Sequence, residues 1–202
     1  MFVQILTAGV KDAAAVRAVL EGWPAGAGRD AVGWLGSTAG ITDEGQLVSL
    51  ARFASADAAR TNSDRPEQGE WWESLAANLA GEASFFETDD VDVDVVGDLD
   101  TAGFVQVMRG RVSEPAGARE ILRVDPAALA ELRPDILGRL LATGEDGEYA
   151  MVVYFTSEAD AREGEKKEPP PEIRAQLEKI NSSTVEGITY FDLRDPWLAS
   201  PS

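Results

Sequence analysis

The stretch Phe2-Val3-Gln4-Ile5-Leu6 returns as Phe104-Val105-Gln106-Val107-Met108, an offset of 102 residues (104 minus 2). The same offset, without a gap, aligns Arg17 with Arg119, Leu20 with Leu122, Pro24 with Pro126, Gly36 with Gly138, Gly45 with Gly147, Phe53 with Phe155, Ser55 with Ser157 and Arg60 with Arg162. One register kept over that length marks an internal repeat, so the chain reads as two copies of one unit, 1–97 and 103–195, each near the commonest domain size. Residues 97–103 are the expected hinge.

Phe2 to Thr7 is β-rich and apolar on both alternating faces except at Gln4, the pattern of a strand covered on both sides. After Asp12, an N-cap residue, Val16, Val19, Leu20 and Trp23 fall at i, i+3, i+4 and i+7 and bury one stripe of a helix that ends before Pro24. Trp34 to Ile41 and Gln46 to Ala54 flank Thr42-Asp43-Glu44-Gly45, a hairpin signal with Gly45 supplying the positive φ. Ser55 caps a second helix, Pro66 interrupts or restarts it, and Ala83 to Val96 closes the unit as a strand. The second copy repeats the order. Phe104 to Val112 is followed by a helix from Ser113 to about Leu122, a Pro126-led helical piece, the hairpin Ile136 to Ala142 and Glu148 to Thr156, a helix capped by Ser157, and the closing strand Val185 to Leu193. Trp197 falls in a tail. Each copy is β-α-β-β-α-β, so the fold class is α+β with two ferredoxin-like repeats. Apolar residues on both strand faces ask for a second cover, and two sheets packed face to face would form one intramolecular α+β barrel.

Composition narrows the chemistry. Eighteen Lys plus Arg against 36 Asp plus Glu give a net charge of −18, which disfavours nucleic acid and anionic membrane surfaces as partners. No long apolar run and no basic leader is present, and a cytoplasmic location is expected. With no Cys and no His, thiolate and Ser-His-Asp nucleophiles, His-ligated zinc and haem, and imidazole acid–base work are all missing. Asp90, Asp92 and Asp94 alternate with Val91, Val93 and Val95. An EF-hand loop beginning at Asp90 would need Gly where Val95 stands, so this is a pleated strand with one wet face, and neither metal nor cofactor is expected.

The order of elements and the stretch Phe53-Ala54-Ser55-Ala56-Asp57-Ala58-Ala59-Arg60, an aromatic strand end leading through Ser into an Ala-rich helix, resemble the antibiotic biosynthesis monooxygenase family. The resemblance covers nearly the whole chain. It implies α+β barrels that dimerise, here fused in tandem, so the chain would be a monomer with an internal pseudo-dimer or a homodimer. It also implies oxidation of aromatic, polyketide-like substrates by O₂ without metal or flavin, in a pocket between helices and sheet lined by Asn, Trp, Tyr and Arg. Many members carry His seven residues after the Ser, where this chain has Asn62 and Gly164. The competing expectation is a non-catalytic module that binds a small ligand or a partner, because fold alone does not fix activity.

Four side chains are the candidate substrate contacts: Asn62, Trp71, Trp72 and Arg52. Adjacent helical residues point about 100° apart, so one of Trp71 and Trp72 can be core while the other walls a pocket for a flat ligand, with Asn62 orienting it; the alternative is that both simply pack. Arg52, late in an apolar strand, is either an ion-pair residue or an anchor for a phenolate or enolate. Gln4 and Gln106 are expected to pair with each other across a pseudo-twofold, and Arg17, Arg119, Arg60 and Arg162 to mark solvated helix faces with local ion pairs. Trp23, Trp34, Asn62, Trp71 and Trp72 face Asp125, Ile136, Gly164, Ile173 and Arg174 at the same offset. The working pocket is therefore expected in the first copy, with the second as scaffold.

Overall fold

A computed structural model describes residues 1–201. The first repeat runs β1 (Phe2–Val10), α1 (Ala13–Gly22), β2 (Trp34–Ile41), β3 (Gln46–Phe53), α2 (Ala56–Ser63), α3 (Pro66–Ala76) and β4 (Leu79–Thr88). Strand β5 (Val91–Val95) and a short 3-10 turn lead to the second repeat: β6 (Phe104–Val112), α4 (Ala118–Leu122), α5 (Pro126–Leu132), β7 (Ile136–Thr143), β8 (Glu148–Phe155), α6 (Glu158–Glu165), α7 (Pro171–Ser183) and β9 (Thr184–Leu193). β10 (Trp197–Ala199) is the last described element. No described helix is long and apolar enough to cross a membrane.

Local signals place most boundaries. Asp12 accepts from the amide of Ala15 at 3.0 Å to start α1, and Ser55 and Ser157 cap α2 and α6 by accepting from Ala58 and Asp160. Pro66 stands at the first turn of α3, where its missing N–H costs nothing, so it restarts the helix. Gly45 and its repeat partner Gly147 hold φ of 75° and 84° in the two hairpin turns.

Each sheet is antiparallel. The first has the order β10-β2-β3-β1-β4 and the second β5-β7-β8-β6-β9, a ferredoxin-like four-strand core with one added edge strand. The expected strand Ala83 to Val96 is thus two strands. The break falls at Asp89-Asp90: β4 pairs with β1, and β5 pairs with β7 in the other sheet. Trp197 likewise is no tail, since β10 pairs with β2. The compact units are consequently Met1–Asp89 with the residues from Asp195 onward, and Asp90–Arg194, so the sequence repeats and the packed units have different boundaries. The expected helix from Ser113 forms only at Ala118–Leu122, because Pro115 lacks a donor and Gly117 sits at φ 94°.

In the first unit both sheet faces are buried. Val3, Ile5, Val48 and Leu50 lie on one, while Leu6, Ala8 and Leu47 on the other pack against Val16, Leu75 and Leu79 of the helical layer. In the second unit Val112, Leu141 and Tyr149 pack against Leu122, Ile173 and Ile180.

Candidate functional site

Strand register fixes which side chains share the helix-facing side of the first sheet. Gln4 pairs with Ala51 on one neighbour and Glu87 on the other, and Ser37 pairs with Ala51. In the next row Leu6 lies between Ser49 and Phe85, and Ala39 pairs with Ser49. Side chains two apart lie on one face, so these rows continue from Leu47 and Ala8 under the helices. They form a floor of small residues, Ser37, Ala39, Ser49 and Ala51, of which all but Ala39 remain partly exposed. Three inter-strand gaps make the floor about 14 Å across.

Tryptophans stand around this floor. Trp23 meets Trp34 edge-on at 5.0 Å and Trp71 at 6.4 Å. Its indole N–H donates to Gln68, and that of Trp71 to the Val19 carbonyl at 3.1 Å. Trp71 is therefore a packing residue between α1 and α3. Trp72 packs on the same core cluster as Trp71 and meets Phe85, 5.6 Å between ring centres, while Phe85 itself is 54% exposed. Trp197 pairs in register with Ala39 and lies under Arg17, whose guanidinium is 5.4 Å from its ring centre. Trp34 and Trp197 keep buried indole N–H groups that have no hydrogen-bond partner among the described residues. All five tryptophans of the chain belong to this unit.

The four candidate contacts do not converge. Asn62 is 4% exposed inside the helical layer, and its Oδ1 accepts from Arg65 at 3.0 Å. Arg52 pairs in register with Val3 and Gly36, on the sheet face turned away from α1 and α3, where its guanidinium occupies the space a Cβ of Gly36 would need. Its Nε is buried and has no hydrogen-bond partner among the described residues. Of the four, Trp72 alone reaches the rows of the floor, through its contact with Phe85 and its packing on the cluster that contains Leu6. Gln4 and Gln106 do not pair with each other either: Gln4 donates to Glu87 at 2.7 Å and Gln106 to Asp192 at 2.8 Å, each within its own sheet. Sequence reasoning passed over Ser37, Ser49 and Glu87. The signal that could have found them is their mismatch with Arg139, Met151 and a Thr at the same offset.

In the second unit the corresponding floor is filled. Arg139, Leu141, Met151 and Val153 stand where the first unit has Ser37, Ala39, Ser49 and Ala51. Met151 and Val153 pack with Met108, Phe104 and Phe155, and Arg139, 7% exposed, is held by Asp94 at 2.7 Å and the Val124 carbonyl at 2.9 Å. A cleft of about 20 Å³ beside Arg139, lined by Asp94, Pro126, Leu129 and Ile136, has room for about one water. The acidic face of β5 is occupied as well. Asp90 and Asp92 accept from Arg119, and Asp90 also from Thr143.

The fold formed by these elements recurs in solved structures. A candidate monooxygenase of Lactobacillus acidophilus NCFM aligns over 98% of this chain and 99% of its own, with a TM-score of 0.67 and 11% identity. An anthrone oxidase-like protein aligns over 98% and 92%, with a TM-score of 0.69 and 9% identity. An uncharacterised ferredoxin-fold protein of Listeria monocytogenes 4b F2365, related to antibiotic biosynthesis monooxygenases, aligns over 100% and 95%, with a TM-score of 0.51 and 11% identity. This chain has the fold of the antibiotic biosynthesis monooxygenase-like proteins. Whole-chain coverage agrees with two tandem ferredoxin-like repeats of that fold within one chain. No protein-family model and no curated protein matches the sequence.

Proposed function

We propose that this chain is a cofactor-independent monooxygenase-like protein acting on a small aromatic or polyketide-like molecule, held on the helix-facing floor of the first unit. One observation carries this reading. Two copies of the same sheet differ where a ligand would lie, with Ser37, Ala39, Ser49 and Ala51 in one and Arg139, Leu141, Met151 and Val153 in the other, while Trp72 and Phe85 border the small-residue side. A flat hydrophobic ligand gains both burial and aromatic stacking there, and the serine hydroxyls can orient its oxygens. Oxidation of such a ligand by O₂ needs a proton removed and a dry, oriented site, which positioning supplies without a cofactor. The solved monooxygenase-like neighbours support the reaction class through the fold they share with this chain.

The test is oxygen uptake by the purified chain with anthrone-like and quinol substrates, alongside ligand titration by tryptophan fluorescence under nitrogen. The expected result is saturable quenching and substrate-dependent O₂ consumption, both lost when Ser49 and Ala51 are replaced by the second unit's Met and Val. Binding without turnover would make the chain a ligand-binding module. No binding at all would remove the site.

A further inference from the structure

Gln4 and Gln106 are aligned residues, and each donates to a carboxylate on the strand beside it, Glu87 in the first unit and Asp192 in the second. The surroundings of the two carboxylates are opposite. Asp192 accepts from Arg162, whose guanidinium also lies 5.2 Å from the Phe104 ring, and Arg194 stands 4.0 Å away. In the first unit the equivalent of Arg162 is Arg60, which turns outward to Asp57 at 3.6 Å, and the residue in register with Arg194 is Asp89. No Lys or Arg reaches Glu87 within ion-pair distance among the described residues, so its second oxygen keeps free lone pairs. Glu87 is at the end of the row Ser37, Ala51, Gln4, Glu87, on the floor's side of the sheet and one position from Phe85's row.

On the reading given under Proposed function, we propose that Glu87 is the proton acceptor for the bound aromatic substrate and that Gln4 is the positioning residue that holds it. An anthrone lying across Ser49, Ala51 and Gln4 with its short axis along the row turns the edge that carries the methylene toward Glu87. With anthrone, the methylene C–H breaks, the proton goes to a Glu87 carboxylate oxygen, and the electron pair passes into the ring system as the enolate of the carbonyl. Dioxygen then oxidises the enolate; anthrone plus O₂ gives anthraquinone plus water, and Glu87 returns its proton to solvent. Placing the carboxylate without a cation keeps its lone pairs available, whereas the second unit spends its carboxylate on arginines. In a chain without histidine, the solvent-exposed Glu87 is the one carboxylate among the described residues of these two rows.

The experiment uses the intact chain and anthrone. Glu87→Gln keeps the size and the hydrogen-bonding capacity but removes the base, and turnover should fall by about 100-fold or more while the anaerobic dissociation constant changes by less than about threefold. Glu87→Asp should recover part of the rate. Gln4→Leu should lower kcat with KM unchanged, a split that a merely destabilised fold would not give, and Asp89→Arg, which restores the second unit's arrangement, should also slow turnover. If Glu87→Gln turns over like the parent chain, the assignment of the base is wrong and the monooxygenase reading stands. If the parent chain binds anthrone and consumes no O₂, the monooxygenase reading fails and the role of Glu87 fails with it.

Discussion

The Arg17 guanidinium lies 5.4 Å from the centre of the Trp197 ring and donates to Asp195, tying α1 to the last strand of its own unit. One repeat later Arg119 donates to Asp90 and Asp92 on β5. The two arginines are thus more than a solvated helix face: each fastens the edge strand that follows the other repeat. Arg17→Ala should release that strand. The expected outcome is several-fold faster amide exchange at residues 197–199 and 37–39, with little change in melting temperature, since edge strands open below the global unfolding free energy. Unchanged exchange at these amides would remove the arginine from the account.

Exchanging the two floors tests the site from both sides. Ser49→Met with Ala51→Val should abolish ligand quenching while leaving the melting temperature equal or higher, because the added groups fill open space. Met151→Ser with Val153→Ala should destabilise by about 2–4 kcal/mol, since these side chains are packed against Phe104 and Phe155. Thermal unfolding and titration of the two double variants give both numbers.

Most of the fold was legible because its signals are local: the caps at Asp12, Ser55 and Ser157, the turn glycines Gly45 and Gly147, and Pro66 all act within four residues. The exchange of edge strands was not, because β5 and β10 find partners in the sheet built by the other repeat, and a run such as Ala83 to Val96 alternates as well when broken at Asp89. The candidate site was legible only as an asymmetry between the copies. Comparing copies identified the tryptophan asymmetry, but alternation alone does not tell which face of Gln46 to Ala54 meets helices. Arg52 was therefore singled out and Ser49 passed over, whereas the register places Ser49 on the helix side and Arg52 on the other.

Asn62 and Gly164 show two solutions to one packing problem. Asn62 fills its space and accepts from Arg65, whereas Gly164 leaves room that the Arg133 guanidinium occupies, itself paired with Asp135 and stacked 5.4 Å from Phe155. Asn62→Ala should cost about 2 kcal/mol, from a lost hydrogen bond to a charged donor and a small void. Arg133→Ala should cost more, about 3 kcal/mol, because Asp135 is buried and would lose its cation. For a chain of this size that corresponds to a drop of about 6–12 °C. An Asn62→Ala chain that melts like the parent yet fails to bind anthrone would instead return Asn62 to the ligand site.

Acid should loosen the second unit's edge strand before the rest. The hydrogen bond from Arg119 holds the Asp92 carboxyl below its ordinary value, with charge attraction adding to it and burial opposing. A carboxyl depressed in the folded state contributes stability that is present above its unfolded pKa, about 3.9, and is lost as pH falls through the folded value. The effect is therefore flat from neutrality down to about pH 5 and disappears below about pH 4. Because protonation also relieves the repulsion of a chain carrying −18 net charge, the informative quantity is the difference between the parent and Asp92→Asn. That difference in unfolding free energy should be constant from pH 7 to about pH 5 and close toward zero below about pH 4. Amide exchange at residues 91–95 should rise in the same window, while that of β8, in the middle of the sheet, stays slow. A difference that persists unchanged at pH 3 would mean that the Arg119–Asp92 pair contributes no stability through its charge.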